Sequence, residues 1–188
     1  MTILLDRYWS SVSARYRSLF GLATFSALVT ALGVLIAYRV ELVLLSATTS
    51  RLWMWLAGFI EEAFVRLLPL ILVFYVWSYA RDRLLSKTEG LLATVASGLT
   101  VGGLELVLKL EYLSRLERTA QFDSILLPLL FVHLPFALLA GRFVYTLGER
   151  IHGTDTVGLP SLSRRTLGLL LGGYLVLGLA HVVFNLLI

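Results

Sequence analysis

Apolar side chains run in five long stretches along this chain, at about 19–38, 53–79, 90–110, 124–147 and 166–188, divided by short clusters of charged and small polar residues. A helix rises ~1.5 Å per residue, so about 20 apolar residues cross a hydrocarbon core of roughly 30 Å. None of the stretches alternates apolar and polar positions as a membrane β-barrel strand does, and a helix satisfies its own backbone hydrogen bonds in lipid. The pattern predicts an all-α fold, a polytopic transmembrane helix bundle of about five spans, forming a single integral membrane domain over 1–188. Ahead of the first span, MTILLDRYWSSVSARYRS mixes Arg7, Arg15 and Arg17 with Tyr8, Trp9 and Tyr16, which predicts an N-terminal interfacial helix. No small-residue cleavage site follows the first apolar stretch, so it is expected to remain as a span. LVLLSATTS at 42–50 is short and ends polar, predicting a re-entrant or interfacial piece, and GERIHGTDTVGLPSLSRR has the Gly, Pro and Ser punctuation of a loop.

Composition turns this pattern into a statement about solvent. Hydrophobic residues make up 58% and charged residues 15% of 188, and the mean hydropathy of +0.85 lies outside the range of soluble domains. The lipid bilayer is therefore the expected partner, and nucleic acid is not: the net charge of +4 comes from basic residues in short loops. The N-terminal segment, the 81–89 loop and the 142–165 region hold ten Lys and Arg, against five in the 39–51 and 109–123 loops. The positive-inside tendency places the N-terminus of this multi-pass protein in the cytoplasm, with the cell membrane as the expected location. An independent crossing by 42–60 reverses that parity. The chain has no cysteine, which excludes disulfides, thiolate metal sites and a cysteine nucleophile. Nothing in the sequence sets an oligomeric state.

Candidate chemistry lies in the polar residues inside the spans, because an ionisable group in hydrocarbon costs on the order of 3 kcal/mol and is retained where it faces a working interior. Glu61 and Glu62 fall in the second stretch, Glu105 in the third, His133 in the fourth and His181 in the fifth. Counted from the outer ends of their spans, Glu61, Glu105, His133 and His181 all lie roughly 8 to 14 Å deep, so four helices deliver polar groups to one layer. Glu62 and Arg66 stand four apart and can pair along one face, while Glu61 is rotated by ~100° from Glu62. Pro69 leaves the Val65 carbonyl without its helical donor, which predicts a kink beyond the charged turn. Gly98 with Gly102, Ala137 with Gly141, and Gly168 with Gly172 are expected to let helices approach closely. Trp53, Trp55 and Trp77 read as interface anchors, Arg81, Arg83 and Lys87 as topology determinants, and His152 as solvated beside Asp155.

These residues resemble those of a known family. Glu61-Glu62-Ala-Phe-Val-Arg66 is similar to the EExxxR motif of the CPBP group of intramembrane proteases, which includes the type II CAAX prenyl endopeptidases, and His181-Val-Val-Phe-Asn185 is similar to its HxxxN. Glu105 in VGGLELVLKLEY and His133 in FVHLPFALLAGR look more like the related PrsW-type proteases. Leu129 stands where the CPBP FxxxH motif has Phe, and Arg66 stands one place beyond the basic residue of the PrsW EExxK, so both subfamilies stay open. The resemblance covers a protease-like core over 53–188 and implies hydrolysis of a peptide bond in a membrane-associated protein or peptide substrate. In that chemistry Glu61 or Glu62 is the general base for water, with the other paired to Arg66. His133 and His181 hold the water, directly or through a zinc ion for which Glu62, His133 and His181 are the ligand set. Asn185 is the oxyanion donor and Glu105 a supporting carboxylate. Two other classes compete: a non-catalytic immunity or scaffold protein with a structural polar core, and a bis-histidine haem or proton-conducting bundle.

Overall fold

A computed structural model describes residues 2–47, 50–115, 132–152 and 164–187. These residues are helical except for the turn at 82–86. The first helix, α1 (Thr2–Ala47), is 46 residues long. It corrects the expectation of a separate interfacial helix, span and 42–50 piece: 2–47 contains no proline and only isolated glycines, so nothing interrupts the backbone register. α2 (Ser50–Glu61) leads through a π-helical segment (Glu62–Leu67) into α3 (Leu68–Arg81), followed by α4 (Lys87–Arg115), α5 (Leu134–His152) and α6 (Arg164–Leu187).

Among the described residues, three helical stretches are long and apolar enough to cross a membrane: Ala14–Leu44, Lys87–Val107 and Arg164–Val183. The count is below the five expected. The second stretch is helical throughout but is divided at Glu62–Leu67, and residues 124–131, the first part of the fourth, lie outside the described residues, as does Leu129. The 109–123 loop begins later than expected, since α4 continues to Arg115; its remainder and the loop at 153–163, with Asp155, also lie outside the described residues. Many large apolar side chains point outward, among them Phe20, Leu32, Leu99, Leu139 and Val176. In lipid such a surface carries no penalty, so the helices need another reason to associate.

That reason is close packing with buried polar contacts. α1 packs along α4, α4 against α5, and α2 against α6. Along α1, Leu22, Ser26, Thr30, Gly33 and Ala37 recur at helical spacing and are buried. Ser26 Oγ donates to the Ala93 carbonyl at 2.6 Å, and one turn on Thr30 Oγ1 donates to Ser97 Oγ at 2.8 Å. A side chain at Gly33 would run into the Phe64 carbonyl of the π segment and into Pro69. Gly98 faces Ala137 and Gly141 faces Thr94, as the small-residue expectation requires for α4 and α5. Gly168 and Gly172 do not serve this purpose, because both are exposed and nothing lies within 4 Å of where a Cβ would stand. On that helix Gly173 and Gly178 take the role, against Phe143 and Phe59.

The turn between α3 and α4 is fixed by its own chemistry. Asp82 closes α3 in a left-handed conformation, φ 50°. Ser86 and Glu89 form a reciprocal capping box at the start of α4, with Ser86 N donating to Glu89 Oε2 at 2.8 Å and Glu89 N to Ser86 Oγ at 3.3 Å. Arg83 grips the same carboxylate through both terminal nitrogens, at 2.8 and 2.7 Å, and this hydrogen bonding pushes the Arg83 guanidinium above its ordinary pKa.

Candidate functional site

The residues singled out from the sequence meet where the π segment faces α5, α6 and α4. Glu61 is the last residue of α2 and Glu62 the first of the π segment, so the change of helical register falls between them. The segment ends two residues before Pro69, whose ring cannot donate to the Val65 carbonyl. Its i→i+5 pattern is a rare geometry that recurs at functional sites. His133 also lies in a π-helical turn, at 132–133, immediately ahead of α5.

Arg66 is the hub. Its side chain is 1% exposed and that of Glu62 is 0% exposed, and the two form a salt bridge through Nη1 and Oε1. From the same guanidinium, Nη1 lies 3.1 Å from His181 Nδ1 and Nη2 lies 2.9 Å from His133 Nδ1. Its Cζ stands 5.2 Å from the ring centre of Phe136, which covers the cation with an apolar face. Each imidazole then turns its other nitrogen to a second carboxylate: His181 Nε2 is 3.0 Å from Glu61 Oε2, and His133 Nε2 pairs with Glu105. His181 Nδ1 also lies 2.8 Å from Glu62 Oε1. Glu61 and Glu105 are 31% and 34% exposed, so the network has a buried centre and two accessible carboxylates.

Hydrogen-bond capacity orders the protons. Arg66 only donates, so His133 Nδ1 accepts from Nη2 and His133 Nε2 carries the proton that Glu105 accepts. His181 Nδ1 stands between a donor, Arg66 Nη1 at 3.1 Å, and an acceptor, Glu62 Oε1 at 2.8 Å, so its role follows the tautomer of the ring. Among the described residues, Glu62 Oε2 and Arg66 Nε are buried and make no hydrogen bond.

The zinc set drawn from the sequence does not fit this arrangement. Glu62 Oε1 and both Nδ1 atoms face the guanidinium of Arg66, and the two Nε2 atoms go to different carboxylates. Among the described residues no group of three or more His, Asp and Glu is arranged to hold a metal ion. A haem between the two rings meets the same obstacle, since both nitrogens of each are engaged. Asn185 lies in the last turn of α6, one turn beyond His181; its side chain is outside the described residues.

Two residues enter the site that sequence reasoning passed over. Glu41 was counted with a loop, but α1 carries it to the site, within Coulombic range of Glu61 and His181. Its Oε1 is buried and has no hydrogen-bond partner among the described residues. The signal was an acidic residue one apolar stretch away from the EE pair, legible only if 42–47 is helix. Tyr174 on α6 donates from its hydroxyl to the Phe59 carbonyl at 3.0 Å, bracing α2 just before the register change.

No protein-family model matches this chain, and no curated protein or solved structure is similar to it.

Proposed function

We propose that this chain is an intramembrane endopeptidase of the CPBP or PrsW type, hydrolysing a peptide bond of a membrane-associated substrate with water activated by glutamate. The observation that carries the reading is the contact between Glu61 Oε2 and His181 Nε2, 3.0 Å long, at an accessible edge of a network whose centre is buried. Arg66 and Glu62 hold His181 Nδ1 from one side and so turn Nε2 towards Glu61 Oε2. Glu61 takes a proton from water as the oxygen attacks the scissile carbonyl carbon, His181 holds the carboxylate in line, and the same proton passes to the leaving amine when the C–N bond breaks. Glu62 and Arg66 are positioning residues: they fix His181 and His133 without touching the reacting atoms. The Glu105 and His133 pair supplies a second donor and acceptor at the same layer, and Asn185 is the oxyanion donor. A bundle of five spans with a cytoplasmic N-terminus completes the reading, in which α2, the π segment and α3 cross as one broken helix.

A second reading has its own observation. Arg66, Glu62 and the two histidines satisfy one another almost completely, which is also what a scaffold protein with a structural polar core needs. The two separate on Glu61→Gln, which keeps shape and removes the base. In reconstituted vesicles carrying a labelled candidate membrane substrate, the protease reading expects cleavage to fall by ~10²-fold or more with thermal stability retained. Cleavage at the wild-type rate by Glu61→Gln and by His181→Ala would overturn it.

A further inference from the structure

At the other end of the bundle from the carboxylate and histidine network, the start of α1's membrane stretch meets the turn between α3 and α4. Arg15, Ser18 and Leu19 of α1, with Arg81, Arg83, Ser86, Thr88 and Glu89 of the turn and the start of α4, line an open cavity of about 290 Å³. Its depth follows from its neighbours: the apolar stretches of α1 and α4 begin at Ala14 and Lys87, so the cavity sits where hydrocarbon gives way to headgroups.

We propose that this cavity binds a phosphate group, carried by an acidic phospholipid headgroup or free in solution. Three guanidinium groups line it against one carboxylate, and that carboxylate is already taken by Arg83 and by the capping box of α4. Two positive charges are therefore left over in a space with room for more than one water, whose share of volume is ~30 Å³. Arginine matches phosphate with a planar fork of donors, and the hydroxyls of Ser18, Ser86 and Thr88 add neutral donors around it. The walls are also held in place. Arg81 Nη2 donates to Ser18 Oγ at 2.6 Å, tying the turn to α1. Arg81 Cζ stacks 5.0 Å from the ring centre of Trp77, which itself packs against Phe25 of α1 at 6.3 Å. Arg83 is fixed by its two-point hold on Glu89. Arg81 and Arg83 are thus preorganised, which lowers the ordering cost of binding. A solvated surface loop with arginines needs neither a cavity nor this bracing. Basic pockets between membrane helices on the cytoplasmic side are a recurrent way of holding phosphorylated headgroups. This site does not depend on the protease reading, since it shares no residue with the network.

The test uses the purified full chain in neutral detergent. Phosphatidylglycerol, phosphatidylcholine and inorganic phosphate are titrated separately, and bound lipid is counted by native mass spectrometry. One phosphatidylglycerol per chain is expected to bind saturably, with phosphatidylcholine at least tenfold weaker. Arg15→Gln with Arg81→Gln should weaken phosphatidylglycerol by tenfold or more. Arg164→Gln with Arg165→Gln, which removes two exposed charges outside the cavity, should change it less than twofold. Arg81→Lys, which keeps the charge, should fall between, and it replaces the double variant if that one does not fold. Inorganic phosphate that competes at millimolar concentration, and loses this competition in the cavity variant, identifies a soluble phosphate as the occupant; failure to compete identifies the lipid. The proposal is overturned if the cavity variants bind phosphatidylglycerol and phosphate as wild type does, or if the Arg164 and Arg165 control loses as much.

Discussion

Arg66 shows how one side chain can decide both the stability and the chemistry of a membrane site. A guanidinium 1% exposed must have its charge balanced nearby, and Glu62 does this at the centre of the bundle. Arg66→Met should therefore lower stability by about 3–5 kcal/mol, because Glu62 is left as a buried, uncompensated carboxylate; denaturation followed in mild detergent would measure it. Restoring neutrality with Glu62→Gln in the same chain should recover part of the loss, a coupling that a pair of independent surface charges would not give. Glu41→Gln is expected to preserve folding yet alter cleavage, since it removes an ionisable group facing Glu61 and His181, and the pH profile of cleavage would register it. Most of this residue set was legible in the sequence, because ionisable groups in apolar stretches stand out and their depths agree. What the sequence left open was the partition of roles between Glu61 and Glu62. Spacing alone puts either one near Arg66, and only the register change between them pairs Glu62 with Arg66 and leaves Glu61 at the edge on His181.

At the scale of elements, the π segment is the part that aims the site. It is held from two sides: Gly33 lets α1 touch the Phe64 carbonyl, and Tyr174 ties down the Phe59 carbonyl from α6. Gly33→Leu should overpack this contact, costing at least 1–3 kcal/mol and displacing Glu62 and Arg66 with the segment. Gly168→Leu, on an open face of α6, should leave stability unchanged, and a thermal comparison of the two variants checks the pair. Breaking the capping box with Ser86→Ala should cost about 1 kcal/mol at the start of α4 without affecting cleavage. The sequence revealed these elements unevenly. Apolar length located the helices of Ala14–Leu44, Lys87–Val107 and Arg164–Val183, but hydropathy is blind to register, so it could not separate α2 and α3 at Glu62 or join 42–47 to α1. The kink is expected beyond the charged turn because of Pro69, and the irregularity the structure shows is a widened turn at Glu62–Leu67, just upstream of the proline.

For the whole molecule, the division of basic residues, ten against five, predicts an orientation that labelling can test directly, because the chain carries no cysteine background. Cysteine introduced at Ser86 should react in intact cells only with membrane-permeant thiol reagents, and labelling by an impermeant reagent would place the α3 and α4 turn outside. α1 adds a different constraint. Its apolar stretch, Ala14–Leu44, is 31 residues long, or roughly 46 Å at 1.5 Å per residue, against a hydrocarbon core of roughly 30 Å. The surplus must be absorbed by leaning, by standing clear of the bilayer or by drawing thicker lipid around the helix. Because Ser26, Thr30 and Gly33 lock α1 to α4 and to the π segment, any change in its lean is transmitted to Glu62 and Arg66 on that segment. Bilayer thickness thus acts on this protein as a mechanical variable, and the acyl-chain length of the host membrane becomes part of what sets the geometry of the site.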